Sequence, residues 1–418
     1  MSKYDSSKVS PGDLNDQPLL KLESSSMFNY GGPVTTMQFY TGDPKEAAIY
    51  LRQRLVEVAR VNPWIGSKLV KDPKQHGKLL AMRYSKDSPP IDEMFEIDTE
   101  LQIHEELPYI DLVAKVSASK AHLPNGNTLL KTGQNICKLT LAPKTDSSGF
   151  AVIFSMSHSV GDGFTYYSIL NMLSSNVEPS AMDPVRNESL RKGLPAQVGE
   201  KEYKFMVSPG VCAICHYIGV AIKAKKNPPQ CFYLDKEKLK MAKEIASAEP
   251  GAAPFVSSND IVTSGFARAT KSKMITMAMD FRGRLEGLTT KHAGNYHLGL
   301  LFGPDGFATA NSIRNALNSP PPLSRAVLPG CCMTGNWSAT ISNWSSMSKG
   351  NLDIPDCTQT LHLPYVDPKE AMADTCVVFK ARPGEVAALF FLQNTTVDDL
   401  KKELPLGDLV STGMFGGK

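Results

Sequence analysis

No segment of this 418-residue chain is dense in lysine or arginine. Its 45 basic and 42 acidic residues are dispersed and leave a formal charge of +3. There is no basic stripe to follow a phosphate backbone, so nucleic acid is not expected as a partner. The opening stretch MSKYDSSKVSPGDLND has no apolar h-region. That argues against secretion and for a cytoplasmic protein with reduced thiols. Metal-ligand spacing is also lacking. Cys212 and Cys215 form a C-x-x-C, a spacing that suits redox or zinc chemistry, but no second C-x-x-C or H-x-x-x-H completes a zinc set. Their neighbours Val211, Ala213 and Ile214 are apolar, so the pair reads as buried thiols and no metal is expected. Gly303-Pro304-Asp305-Gly306 lacks the Lys-Ser/Thr of a phosphate loop and reads as a turn. No internal repeat is present.

What the chain does have is enough apolar residues for more than one core. Hydrophobic residues make up 42% and charged residues 21%. Single cores stop growing near roughly 250–300 residues, so two domains are expected. Residues 1–30 read as a flexible lead-in. Thr35 to Tyr40 reads as a strand, and Asp43-Pro44 opens a helix that runs through Arg60. Ile136–Leu141 and Phe150–Ser155 read as an antiparallel pair, followed by a helix over Phe164–Leu173. Residues 176–229, richer in proline, glycine and charge, read as a crossover. A second domain then covers 230–418, with helices over Asp235–Ala248, Asp260–Thr270 and Phe307–Leu317. Its strands are expected over Cys231–Leu234, Lys273–Asp280, Met333–Trp344, Thr375–Lys380 and Val386–Leu392. The first domain is assigned to 31–175. The class is α/β, in an α+β layered arrangement.

One apolar-rich stretch, Phe205 to Ile222, is followed by Lys223, Lys225 and Lys226. Ser208, Pro209, Gly210, His216 and Gly219 interrupt it. It reads as a buried or interfacial helix from about Val211 to Lys225, with weak membrane-surface contact left open.

The chemistry centres on Ser157-His158-Ser159-Val160-Gly161-Asp162-Gly163, between an apolar strand and a helix. A neutral imidazole at such a corner takes a proton from an attacking hydroxyl or amine, provided that its tautomer and orientation are held. Gly161 and Gly163 allow close approaches that a side chain would block. Asp162 would either order the loop or receive a partner charge behind it. The competing reading is a satisfied histidine at a strand end. His216 reads as buried, and His292, His297 and His362 have no partner at an interpretable spacing. Trp337 and Trp344 read as core.

Further motifs lie in the second half. They are Val256-Ser257-Ser258-Asn259-Asp260-Ile261-Val262-Thr263, Met279-Asp280-Phe281-Arg282-Gly283-Arg284-Leu285, Gly294-Asn295 and Ser342-Asn343-Trp344, with Asp353 nine positions after Trp344. In this order and spacing the chain resembles the BAHD-type acyltransferases and the wider chloramphenicol acetyltransferase-like superfamily, over roughly residues 30 to 400. It departs from that pattern after Asp353, where Ile354-Pro355-Asp356-Cys357 replaces Phe-Gly-Trp-Gly. This speaks against an ordinary plant-type member.

The resemblance implies two chloramphenicol acetyltransferase-like domains, each a mixed sheet with flanking helices, and a channel between them. Acyl-CoA would be a co-substrate, with no permanently bound cofactor. His158 would be the general base for transfer to a hydroxyl or amine of a small acceptor, without an acyl-enzyme. Asp162 and Gly163 would shape its loop. Ser342 stands where the family has its Thr, as an oxyanion donor or a plain strand serine. Arg282 and Asp353 would form a structural pair. A monomer of secondary metabolism is expected. The alternatives are a condensation-type enzyme fed by a carrier protein, a wax-ester-type synthase, and a non-catalytic binding relative. The first two usually carry a second histidine where Ser157 stands, and the third is disfavoured by intact His158, Asp162 and Gly163.

Overall fold

A computed structural model describes residues 14–145, 148–208, 210–211, 213–215, 227–328, 337–371 and 373–416. Fifteen strands among them form three sheets. In chain order these are β1 (Leu14–Pro18), β2 (Val34–Thr41), β3 (Lys68–Lys71), β4 (Leu80–Ser85), β5 (Phe95–Ile97), β6 (Cys137–Pro143), β7 (Gly149–Met156) and β8 (Gln230–Leu234). They continue with β9 (Met274–Asp280), β10 (His297–Phe302), β11 (Ser338–Asn343), β12 (Thr358–Pro364), β13 (Asp374–Arg382), β14 (Glu385–Phe391) and β15 (Leu406–Leu409).

The first large sheet has the order β12-β2-β7-β6-β5, and the second β10-β9-β11-β13-β14-β8-β15. Both are mixed: β5 runs parallel to β6, and β11 lies parallel to both β9 and β13. β7 is buried at every position, as befits a central strand covered on both faces. The helix Pro44–Val61 starts where the sequence places it. The Asp43 side chain accepts from the Lys45 amide, and Leu51, Leu55, Val58 and Ala59 are buried along one face. A capping box between Ser257 and Asp260 starts the helix Ser258–Thr270, whose core face includes Val262 and Phe266.

Three expectations change. Residues 14–30 are not a lead-in. β1 pairs with β4, Leu19 and Leu20 are buried, and the Glu23 side chain is fully buried. Local sequence carries no sign of this, because the partners lie far along the chain. Second, the boundary at 176–229 does not separate the sheets. β12 comes from the C-terminal half yet pairs with β2 at the edge of the first sheet. The crossover itself holds two helices, Ser189–Val198 and Glu200–Val207. Third, the Pro304 turn is a short helix, Pro304–Phe307, and the next helix starts only at Ala310, capped by Thr309.

The stretch 205–222 is only partly among the described residues. Val211 and Ile214 are exposed, and Cys215 is exposed rather than buried. Cys212 and His216 lie outside the described residues. No described helix is long and apolar enough to cross a membrane. Among the described residues no cluster of His, Cys, Asp and Glu could hold a metal ion.

Candidate active site

β7 ends at Met156, and the helix Gly163–Met172 begins after six intervening residues. His158 occupies the connection. The helix is capped by Asp162, whose Oδ1 accepts from the Thr165 amide at 2.9 Å. A Cβ on Gly161 would lie 2.9 Å from Thr165 Cγ2 and 3.0 Å from Met156 Cε. The glycine is therefore needed for close packing of the corner and not for an unusual backbone angle.

The Asp162 carboxylate reaches into the second half of the chain. Arg282 donates to both of its oxygens, at 2.8 and 3.2 Å. The Tyr296 amide donates to Oδ2 at 2.9 Å. Burial, the largest single influence, would raise the Asp162 carboxyl, but Arg282, His297 and the Thr165 amide together hold the group below the ordinary carboxylate range. Arg282 is saturated in turn. It donates to Asp280 at 2.9 Å, to Thr165 Oγ1 and the Gly294 carbonyl at 3.0 Å, and to the His292 carbonyl at 3.0 Å. Its guanidinium also sits over the rings of Phe164 and Tyr296.

This corrects the expected Arg282–Asp353 pair. Every direction in which Arg282 can donate is taken by these groups. Asp353 instead accepts from the Ser175 hydroxyl, and its amide donates to Ser174 Oγ at 2.8 Å. It ties the loop before β12 to the turn after the helix Gly163–Met172.

His158 is held by a residue that the sequence reading placed only within a Gly-Asn motif. Asn295 Nδ2 donates to the His158 carbonyl at 2.8 Å and to Glu23 Oε1 at 3.2 Å. With its nitrogen so committed, Asn295 presents Oδ1 to His158 Nδ1 at 3.1 Å. An oxygen there calls for a hydrogen on Nδ1, which leaves Nε2 as the basic nitrogen. Gly294, at φ +144°, makes the turn that delivers Asn295; a Cβ there would lie 2.9 Å from the Tyr296 ring.

Glu23 completes the support. It accepts from the Asn295 amide at 2.9 Å and from Arg186 Nε at 2.8 Å. Arg186 also donates to the carbonyls of Ala293 and Val160. Neither Glu23 nor Arg186 had any signal in the sequence. Burial lowers the His158 pKa below its usual value, while Asp162, Asn295 and Glu23 pull the other way.

His158 lines a cavity of about 780 Å³ between the two large sheets. Gly163, His297, Ser342, Asn343 and Trp344 line it too. Ser342 is on β11, and its Oγ accepts from Trp344 Nε1 at 2.9 Å. The serine proton therefore points elsewhere. Trp344 packs against Tyr167 yet also faces the cavity, so it is not only core. His297, given no partner in the sequence, stands beside His158 with ring centroids 5.5 Å apart.

No family model matches the chain, and no curated protein does. Solved structures do. TRI101 of F. sporotrichioides, crystallised with coenzyme A and T-2, is 14% identical with a TM-score of 0.64, covering 95% of this chain and 100% of that one. Vinorine synthase is 13% identical with a TM-score of 0.57, over 95% and 96%. The chain has the chloramphenicol acetyltransferase-like fold. The first condensation domain of the CDA synthetase is similar as well, at 14% identity and a TM-score of 0.53 over 93% of each chain. In this chain the fold brings His158, Ser342 and Trp344 to one cavity, and it buries the Asp162–Arg282 pair behind them.

Proposed function

We propose that this protein is an acyltransferase that moves an acyl group from acyl-CoA to a hydroxyl or amine of a small-molecule acceptor. The observation that carries the reading is the Asn295–His158 contact, which leaves a neutral imidazole with a free Nε2 on a cavity between two sheets. His158 Nε2 takes the acceptor proton as the acceptor oxygen or nitrogen attacks the thioester carbonyl. The new C–O or C–N bond gives a tetrahedral oxyanion. Ser342 donates a hydrogen bond to that oxyanion and keeps its proton, since its oxygen already accepts from Trp344. Collapse breaks the C–S bond, and the departing thiolate takes the proton from the His158 imidazolium. Asp162 and Arg282 position the loop and touch no reacting atom.

The fold is shared with coenzyme A-bound TRI101, which supports acyl-CoA as the donor. A carrier-fed condensation reaction is less well supported, because Ser157 is buried and stands where a second histidine would be expected. The test is a panel of acyl-CoA donors against alcohols and amines, read as free thiol released. Wild type should release CoA only with an acceptor present, and His158→Ala should abolish release while keeping its fold. Unchanged turnover in that variant would sink the mechanism.

A further inference from the structure

His297 is the first residue of β10 and the Cα partner of Asp280 on β9. Its ring lies nearly parallel to that of His158, 5.5 Å away with an interplanar angle of 26°. Phe28 presents an edge to both rings, at 5.2 Å and 5.7 Å. His297 Nδ1 is shielded from solvent, has no hydrogen-bond partner, and faces Asp162 Oδ2 at 3.9 Å. Yet the side chain keeps 25% exposure and lines the cavity. The edge that meets the cavity is therefore the one carrying Nε2.

The tautomer follows from the charges. Arg282 keeps Asp162 ionised, and a neutral imidazole places its proton on the nitrogen nearest a carboxylate. Burial brings His297 down to about 4, so the ring is neutral at physiological pH. Asp280, the other acid nearby, is tied to Arg282 at 2.9 Å. Nε2 of His297 thus presents a lone pair, as does Nε2 of His158. A single proton transfer uses only one of them. Once a bound substrate displaces solvent from the cavity, an acceptor left without a donor there is costly.

We infer that the acceptor substrate carries two neighbouring hydrogen-bond donors, as in a diol or amino alcohol, one given to His158 and acylated, the other held by His297. This rests on the acyl-transfer reading above. His297 is then a specificity-determining residue. A substrate with one hydroxyl would meet His158 equally well but leave His297 unsatisfied.

Two measurements test the inference. The first uses acetyl-CoA with 1,2-cyclohexanediol or cyclohexanol, reading CoA release by wild type, His297→Phe and His297→Gln. Wild type should favour the diol in kcat/KM by at least about tenfold. His297→Phe should lose that preference, the loss appearing as a higher KM for the diol. His297→Gln, which restores an acceptor oxygen, should recover part of it. No preference in wild type, or an unchanged preference in His297→Phe, overturns the inference while leaving acyl transfer standing. The second measurement needs no turnover. Long-range ¹H–¹⁵N spectra of histidine-labelled protein should show His297 unprotonated at Nε2 and shifted by the diol but not by cyclohexanol. A proton found on Nε2 overturns the inference even if neither alcohol is acylated.

Discussion

Arg282 grips Asp162 through both carboxylate oxygens, at 2.8 and 3.2 Å, joining positions 120 residues apart. Both side chains are almost wholly buried, at 1% and 2% exposure. The contact fastens the end of β9 to the cap of the helix that follows His158. Replacing Arg282 by Ala strands a buried carboxylate. We expect a loss of about 3–5 kcal/mol in a urea titration. Arg282→Lys should recover little, because one ammonium cannot serve two carboxylate oxygens and a carbonyl in one plane. Asp353→Ala should cost far less; a loss equal to that of Arg282→Ala would restore the pairing that the sequence suggested.

Asn295 holds the His158 ring and is not among the residues that line the cavity. Asn295→Leu removes the acceptor for Nδ1–H and frees the ring to change tautomer, so kcat should fall by about 10²-fold. KM should hardly move. Glu23→Ala should lower kcat in the same direction by releasing Asn295 and leaving Arg186 without its carboxylate. A Glu23 variant with full kcat would show that Asn295 needs no support from the N-terminal segment.

Ser342 offers its hydroxyl proton because Trp344 Nε1 already donates to its oxygen. Ser342→Ala should therefore reduce kcat by about 10²-fold with KM unchanged, the pattern of a lost oxyanion donor. An unaltered kcat would leave Ser342 as a strand serine that seats Trp344.

Four histidines have depressed pKa values from burial. His122 and His297 fall to about 4, His362 to about 3, and His158 lies below its usual value. The sign is that of bases charged more readily when unfolded. Their contribution to stability is complete above the ordinary histidine pKa, near 6.5, and is lost as pH falls from there towards the folded values. His122, His297 and His362 should each remove up to about 1.4 kcal/mol per pH unit in that window. Thermal melts between pH 7 and pH 5 should show the decline. The acid limb of kcat/KM should lie below the free-histidine value, because His158 stays neutral to lower pH. A limb above it would mean that another group carries the base.

By itself the sequence determined the local elements and one end of the chemistry. The Asp43 cap, the Ser257 capping box and the apolar runs of β6 and β7 are decided by neighbours a few residues apart. The corner that carries His158 is legible for the same reason. The motifs of the second half also pointed to a fold that the solved structures share. Tertiary structure alone decided who partners whom. Arg282 could not be assigned between Asp162 and Asp353 from spacing, because both lie far along the chain and only the three-dimensional path of β9 brings one of them within reach. Glu23, Arg186 and His297 had no local pattern at all. Their roles arise from burial, where a charge or a ring nitrogen must find a partner across elements distant in sequence.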